Sequence, residues 1–316
     1  MSNSCLAPLR YAVCIPMELR HLRYFLAVAD ERNVTRAAAR LGIQQPPLSQ
    51  QIRELEREIG TPLFHRVPRG VELTEAGHTF LRLVQSIPAQ VEGATHEARR
   101  AGRGETGELR VGFTGAASIN PQVQGLLRRY RDLYPDVRLT LTEKNTVTLL
   151  DELRSHQLDA VLARPLPQHL GDLTLTLVAR EPMVAVVPRG HPAAQTRPLP
   201  LERLRDETFI TTPREFGPLI YDTVWQACRA AGFEPRLGQL APQMLSIVSL
   251  VAAGLGVSLV PDAMRRLNLE GCEYLELRPP VPTVDLTLLC RPHERAATVL
   301  NFTALVGDMQ ETGPHR

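Results

Sequence analysis

The stretch Gln44–Glu56, QQPPLSQQIRELE, decides how the rest of the chain is read. Leu48, Ile52 and Leu55 recur at helical spacing, yet two adjacent prolines stand at its start. Inside a helix, proline removes a hydrogen bond and clashes with the preceding turn. In the first turn its missing N–H has no helical partner to lose, so Pro46 and Pro47 start a helix here. The helix is expected from about Pro46 to Ile59, with Gly60 ending it. Ile43, Leu48, Ile52 and Leu55 turn to a core, which leaves Gln45, Ser49, Gln50 and Arg53 facing outward.

Upstream, Leu19, Leu22, Phe25, Leu26 and Ala29 mark another helix. Asn33, Val34 and Thr35 offer a cap for a short helix from Arg36 to Leu41, and Gly42 supplies a tight turn. Small Ala38 lets the two helices approach, so the pair reads as a helix-turn-helix. In that motif the second helix enters a DNA major groove. Glutamine can pair with adenine and serine with several bases, while Arg53 is long enough for a phosphate. The plainer alternative is a surface helix pair with no DNA role. Downstream, Leu63–Phe64 and Val71–Leu73 flank Arg66 to Gly70, a two-stranded ribbon with a basic tip.

Thr74 reads as the N-cap of a long helix reaching Ala101. Phe80, Leu81, Val84, Ile87, Val91 and Ala94 form one apolar stripe, and such a helix would be roughly 40 Å long. A lone helix of that length needs a partner, so it reads as a dimerisation element, kinked at Pro88. The segment AGRGETG at 101–107 is a hinge. From Glu108 strands and helices alternate. Strands are expected at 109–113, 137–142, 160–163, 173–177, 183–187, 209–212, 257–260 and 285–289. Helices are expected at 121–134, 147–156, 219–231, 243–253 and 296–308. This βαβ order implies a parallel sheet.

At 316 residues, 43% hydrophobic and 22% charged, the chain has material for two or three globular domains. The net charge of +2 says little about partners, because local patches hide in a balanced total. The five cysteines form no C-x-x-C pair, which argues for a reducing compartment and against a zinc site or disulfide framework. No cofactor or metal is expected. No apolar run approaches the ~20 residues that span a bilayer. Residues 1–16 read as an extension that is either disordered or a misassigned start, with Met17 opening the structured part.

The segments ELRHLRYFLAV (18–28), VTRAAARLGIQQPPLSQQIRELEREIGTPLFHR (34–66) and VELTEAGHTFL (71–81) closely resemble the LysR-type transcriptional regulators. Beyond them the resemblance runs to about Asp308, through element order and GLGVSLVP at 254–261. It implies an α/β chain overall. An all-α winged helix-turn-helix would occupy 17–74, and a linker helix and hinge 75–107. A two-lobed α/β domain like a periplasmic solute-binding protein would occupy 108–310. Lobe I would be 108–164 and 271–310, lobe II 165–270, with crossovers near Arg164-Pro165 and at 267–274. It further implies a cytoplasmic homotetramer on double-stranded DNA, at an operator with an interrupted inverted repeat and away from any membrane. A small-molecule inducer would sit between the lobes.

Carried over to this chain, the DNA-contacting positions are Thr35, Gln45, Pro46, Pro47, Ser49, Gln50 and Arg53, with Arg66 and Arg69 in the wing. Gln50 stands where the family often has arginine, which removes a charge from the DNA face. Glu54, Glu56 and Glu58 cannot face phosphates and are expected on the far side of the helix. The inducer positions are Thr114, Ala116, Ser118, Thr146, Arg164, Thr212 and Phe216. Small residues at 112–118 and a helix start at Asn145-Thr146 leave N–H groups open, which favours an organic carboxylate. Thr146 matches a carboxylate-contacting position of the subgroup governing aromatic-compound breakdown, but Ala116 replaces that subgroup's frequent serine. Arg164 either pairs with an acidic ligand or closes an ion pair between lobes. Gln243 either faces the cleft from a helix start or, the favoured reading, is an ordinary first-turn residue, and His191-Pro192 reads as a structural turn. A transcription regulator is the leading reading. The alternatives are a solute-binding protein and, behind it, an enzyme on the α/β lobes, which would lack a G-x-S-x-G elbow or phosphate-binding glycine loop.

Overall fold

The computed structural model describes residues 17–312, so the reading of 1–16 lies outside the described residues. The chain divides into two compact units, 1–98 and 99–316.

The first unit opens with α1 (Leu19–Glu31), α2 (Val34–Leu41) and α3 (Gln45–Ile59). Local chemistry sets each boundary. Asn33 caps α2 by accepting from the Arg36 N–H at 3.1 Å, and Gly42 and Gly60 close α2 and α3 in the left-handed region. Pro46 and Pro47 occupy the first turn of α3. Leu22, Phe25, Val28, Ala37, Ala38, Leu48, Ile52 and Leu55 are buried together, so the small alanines do allow the close helix approach. Next, β1 (Phe64–Val67) and β2 (Gly70–Leu73) pair antiparallel as the wing. Glu56 holds its root by accepting from the N–H groups of Leu63 and Phe64 at 2.8 and 3.1 Å. Gly70 has φ 146°, and a Cβ there would lie 2.2 Å from the Arg32 carbonyl oxygen, so only glycine lets the wing lie against the end of α1.

Thr74 caps α4 (Glu75–Val84) through the Gly77 N–H, as its position implies. The expected single long helix is instead two, because α5 (Ile87–Gly102) starts afresh after Gln85-Ser86. Pro88 lies in the first turn of α5. Continuing α4 through it would drive its ring into the Val84 carbonyl. No residue of α5 is buried, and Val91 stays 38% exposed.

The second unit contains β3 (Thr106–Phe113), α6 (Gly115–Ser118), α7 (Pro121–Leu133), β4 (Asp136–Glu143), α8 (Thr146–Arg154), β5 (Ala160–Ala163) and β6 (Thr174–Pro188). It continues with β7 (Thr208–Thr211), α9 (Pro218–Ala230), β8 (Arg236–Leu240), α10 (Met244–Ala252) and β9 (Ser258–Pro261). β10 (Cys272–Glu276), β11 (Thr283–Cys290) and α11 (Ala297–Thr312) complete it. The main sheet runs β10-β6-β11-β5-β3-β4, with β9 also on β6, and β7 pairs β8. Only β3–β4, β3–β5 and β7–β8 are parallel. The all-parallel expectation is therefore corrected to a mixed sheet in which β6 and β11 run against their neighbours.

The two lobes share β6. Its first part, Thr174–Pro182, pairs with β11, whereas Val184–Pro188 pairs with β10. The changeover therefore falls near Pro182 and the return at 277–283, not near Arg164-Pro165 and 267–274. The strands expected at 173–177 and 183–187 are one. The polar run Arg180-Glu181-Pro182 imitates a loop, but Glu181 is buried and paired in the fold.

In the first lobe, Asp159 accepts from Arg110 at 2.7 and 2.9 Å and from Arg291 at 3.3 Å. Burial alone would raise its pKa, but the Arg110 and Arg291 hydrogen bonds outweigh it and hold the carboxyl below its usual range. Its stabilising contribution is therefore full above the unfolded carboxyl value near ~3.9 and is lost as pH falls through the lower folded value. Unfolding free energies of wild type and Asp159→Asn from urea titrations should differ by about 1–2 kcal/mol at pH 7, and the gap should close as pH falls through the lowered carboxyl value. A gap that stays constant across this range would exclude Asp159 as the titrating group.

Candidate functional sites

On the first unit, Thr35, Gln45, Pro46, Pro47, Gln50 and Arg53 are exposed along the start of α2 and one face of α3, and Ser49 is half-buried. Arg66 and Arg69 are exposed on the wing. Arg36 and Arg40 are tied to Glu31 and Asp30, whereas among the described residues Arg53, Arg66 and Arg69 are held in no ion pair. These three cations are therefore available to phosphate oxygens. The Gln45 amide donates to the Ser49 Oγ at 2.7 Å, which joins the two polar groups at the tip of α3. Glu56 does sit away from this face. Glu54 does not: it accepts from Gln50 at 3.0 Å, because positions four apart on a helix are neighbours.

On the second unit, one cavity brings together Thr114, Ala116, Thr146, Arg164, Thr212 and Phe216, with Lys144, Gln243 and Met244. Its cavity volume is about 60 Å³, and it opens to solvent. Of the seven expected positions only Ser118 is absent, because its hydroxyl turns back to donate to the Gly115 carbonyl at 2.7 Å. The starts of α8, α9 and α10 all meet here, through Thr146, Gly217 and Gln243. Neither α9 nor α10 has a side chain capping its first turn. The open first turns of α9 and α10, with three helix starts in one lining, make the cavity favourable to negative charge.

Two cations line the cavity, and both are already engaged. Lys144 pairs with Glu152, and Arg164 pairs with Glu181. Of the two roles open to Arg164, the fold shows the ion pair, deeply buried, with Glu181 at the lobe changeover. A Cβ on Gly115 would lie 2.7 Å from a Glu143 carboxylate oxygen and 3.4 Å from the Gln243 Oε1, so these side chains roof the strand-to-helix turn. Gln243 therefore lies in the cavity rather than being only a first-turn residue. Lys144, Ile220 and Met244 were not anticipated. Lys144 had a signal, as the chain's only lysine beside a helix start; the two apolar residues had none.

Cys228, Cys272 and Cys290 are free and buried, and burial pushes the Cys228 thiol up to about 12. They are poor nucleophiles. Among the described residues no cluster of three or more His, Cys, Asp or Glu could hold a metal, and no helix is long and apolar enough to cross a membrane.

The sequence matches two families: the bacterial regulatory helix-turn-helix protein, lysR family, over 19–78, and the LysR substrate binding domain over 102–310. It is 40% identical to the HTH-type transcriptional regulator BudR of Raoultella terrigena, over 90% of this chain and 99% of that protein. It is 38% identical to the HTH-type transcriptional regulator AlsR of Bacillus subtilis, over 79% and 82%. Among solved structures, full-length CbnR complexed with its target DNA superposes with TM-score 0.79 at 27% identity, covering 92% of this chain and 99% of that one. The relatives are regulators rather than enzymes. With the wing, the DNA-facing helix and the two-lobed cleft in place, the chain belongs to the LysR family of transcriptional regulators, binding DNA through its N-terminal unit and carrying a C-terminal effector-binding domain.

Proposed function

We propose that the inducer is a small organic carboxylate, held in the cavity where α8, α9 and α10 begin, and that its binding resets the regulator on an operator built as an interrupted inverted repeat. The convergence of three helix starts from two lobes carries this reading. The working form is a cytoplasmic homotetramer. Support for self-association comes from α5, whose apolar Val91 is exposed and none of whose residues is fully buried. The protein has no catalytic role.

A panel of small carboxylates and their neutral amides, screened by thermal melting, tests the ligand class. At 100 times its Kd a ligand adds about 2.7 kcal/mol, which moves the melt of a domain this size by roughly 5–10 °C. Shifts from the amides but not the acids would sink the carboxylate reading. Thr146 is buried in the first turn of α8, so Thr146→Val should halve the acid-induced shift or more while DNA affinity stays put. Gln45→Ala and Ser49→Ala should each weaken binding to the promoter DNA by roughly tenfold without lowering the melting temperature. An unchanged affinity, read by fluorescence anisotropy, would remove these two residues from the contact surface.

A further inference from the structure

A directed chain of hydrogen bonds runs from the start of α1, through the buried His21, to the exposed face of α3. It begins at the Glu18 backbone N–H, which can only donate, and which meets the His21 Nδ1 at 3.2 Å. His21 is 5% exposed, and this contact makes Nδ1 the acceptor, so Nε2 carries the ring proton. Nε2 lies 3.0 Å from the Gln51 Oε1 and donates to it. The Gln51 amide nitrogen is thereby turned to Glu54, donating to Oε2 at 2.6 Å. The other carboxylate oxygen of Glu54 accepts from the Gln50 Nε2 at 3.0 Å. A carboxylate only accepts, so each amide in the chain has one orientation.

We infer that Glu54 is a specificity-determining residue: by holding one N–H of the Gln50 amide, it fixes the orientation of that amide and turns the carbonyl oxygen outward as an acceptor. This rests on the reading of α3 as the DNA-facing helix. A free glutamine offers a donor and an acceptor and can pair with adenine through both. With one N–H engaged and its oxygen outward, Gln50 favours bases that present an exocyclic amino group in the major groove, N6 of adenine or N4 of cytosine, and its second N–H can still reach N7 of adenine. Guanine and thymine place acceptors opposite that oxygen and are disfavoured. Glutamine thus puts an acceptor where the frequent arginine offers only donors, beyond the loss of charge. Glu54 positions Gln50 and need not touch DNA.

The test is selection from a pool of random duplexes by the full-length protein, comparing wild type, Gln50→Ala and Glu54→Ala. Both substitutions lie on the helix surface, and melting temperatures check that all three proteins fold. Wild type should favour adenine or cytosine over guanine or thymine about fivefold at one position in each half-site. At that same position the preference should fall below twofold in both variants. Removing the Glu54 charge also strengthens binding to all sequences alike, which leaves the ratio untouched. A Glu54→Ala profile identical to wild type overturns the inference, as does a wild-type preference for guanine or thymine at the Gln50-dependent position. If Gln50→Ala changes no position, Gln50 does not read a base and the inference falls with it. If wild type enriches no motif, the DNA-facing reading of α3 fails instead.

Discussion

Replacing Arg164 by methionine is expected to destabilise the effector-binding unit by about 3–5 kcal/mol, the usual cost of stranding one member of a buried ion pair. Arg164 and Glu181 are 4% and 6% exposed and bonded to each other. Their Nε and Oε1 atoms are buried with no hydrogen-bond partner among the described residues, so the pair is incompletely solvated even when intact. Removing the guanidinium leaves a carboxylate in an apolar setting, or forces it to take up a proton. The double variant Arg164→Met/Glu181→Leu removes both charges at similar volume and should return to within about 1 kcal/mol of wild type or exceed it. Urea unfolding followed by the single tryptophan, Trp225 in α9, reads this unit directly. A single variant as stable as wild type would mean that Glu181 is neutral or reaches water. The double variant also tests the cleft. Because the Arg164 charge is spent on Glu181, removing both should leave the affinity for a carboxylate inducer within about threefold of wild type.

Phe25→Ala should have a comparable effect on the other unit. Phe25 is fully buried, with its ring 4.9 Å from that of Phe80 and 5.2 Å from that of Phe64. One side chain thus joins α1 to the wing and to α4. Truncating a buried phenylalanine costs about 3–5 kcal/mol, a large share of the ~5–15 kcal/mol that holds a domain together. Amide exchange in α1–α3 should accelerate by about two orders of magnitude or more, while exchange in β3 and β11 stays as in wild type. Specific DNA binding should fall with it, because α3 is held in place by this core. Unchanged exchange in α1–α3 would show that the three rings contribute little beyond what neighbouring side chains can replace.

Much of the first unit was legible because its signals are local. Periodic apolar residues, Asn33, Thr74, two terminal glycines and two prolines set helix limits within a residue or two of those observed. In the second unit α7, α8, β5 and α9 were equally legible. β8 was missed because all five of its residues are exposed and carry no burial pattern; β10 was missed because its place is set by pairing with the distant β6. The cavity was partly legible. Thr114 and Thr146 sit at strand-to-helix turns that announce open N–H groups, whereas Ile220 and Met244 reach the same cavity from the other lobe without any chemical signature.

The DNA-facing helix and its proline-led start are matters of sequence alone: caps, turn glycines and first-turn prolines act over a few residues, so their identities suffice. The partners of the decisive polar groups are not. Arg164 finds Glu181 because β5 and β6 flank β11, and His21 finds Gln51 because α1 packs on α3, thirty residues away. Such pairs depend on register, crossover and packing, which no local pattern specifies. Tertiary structure alone therefore decides which charge is spent inside the cleft and which way the Gln51 amide faces.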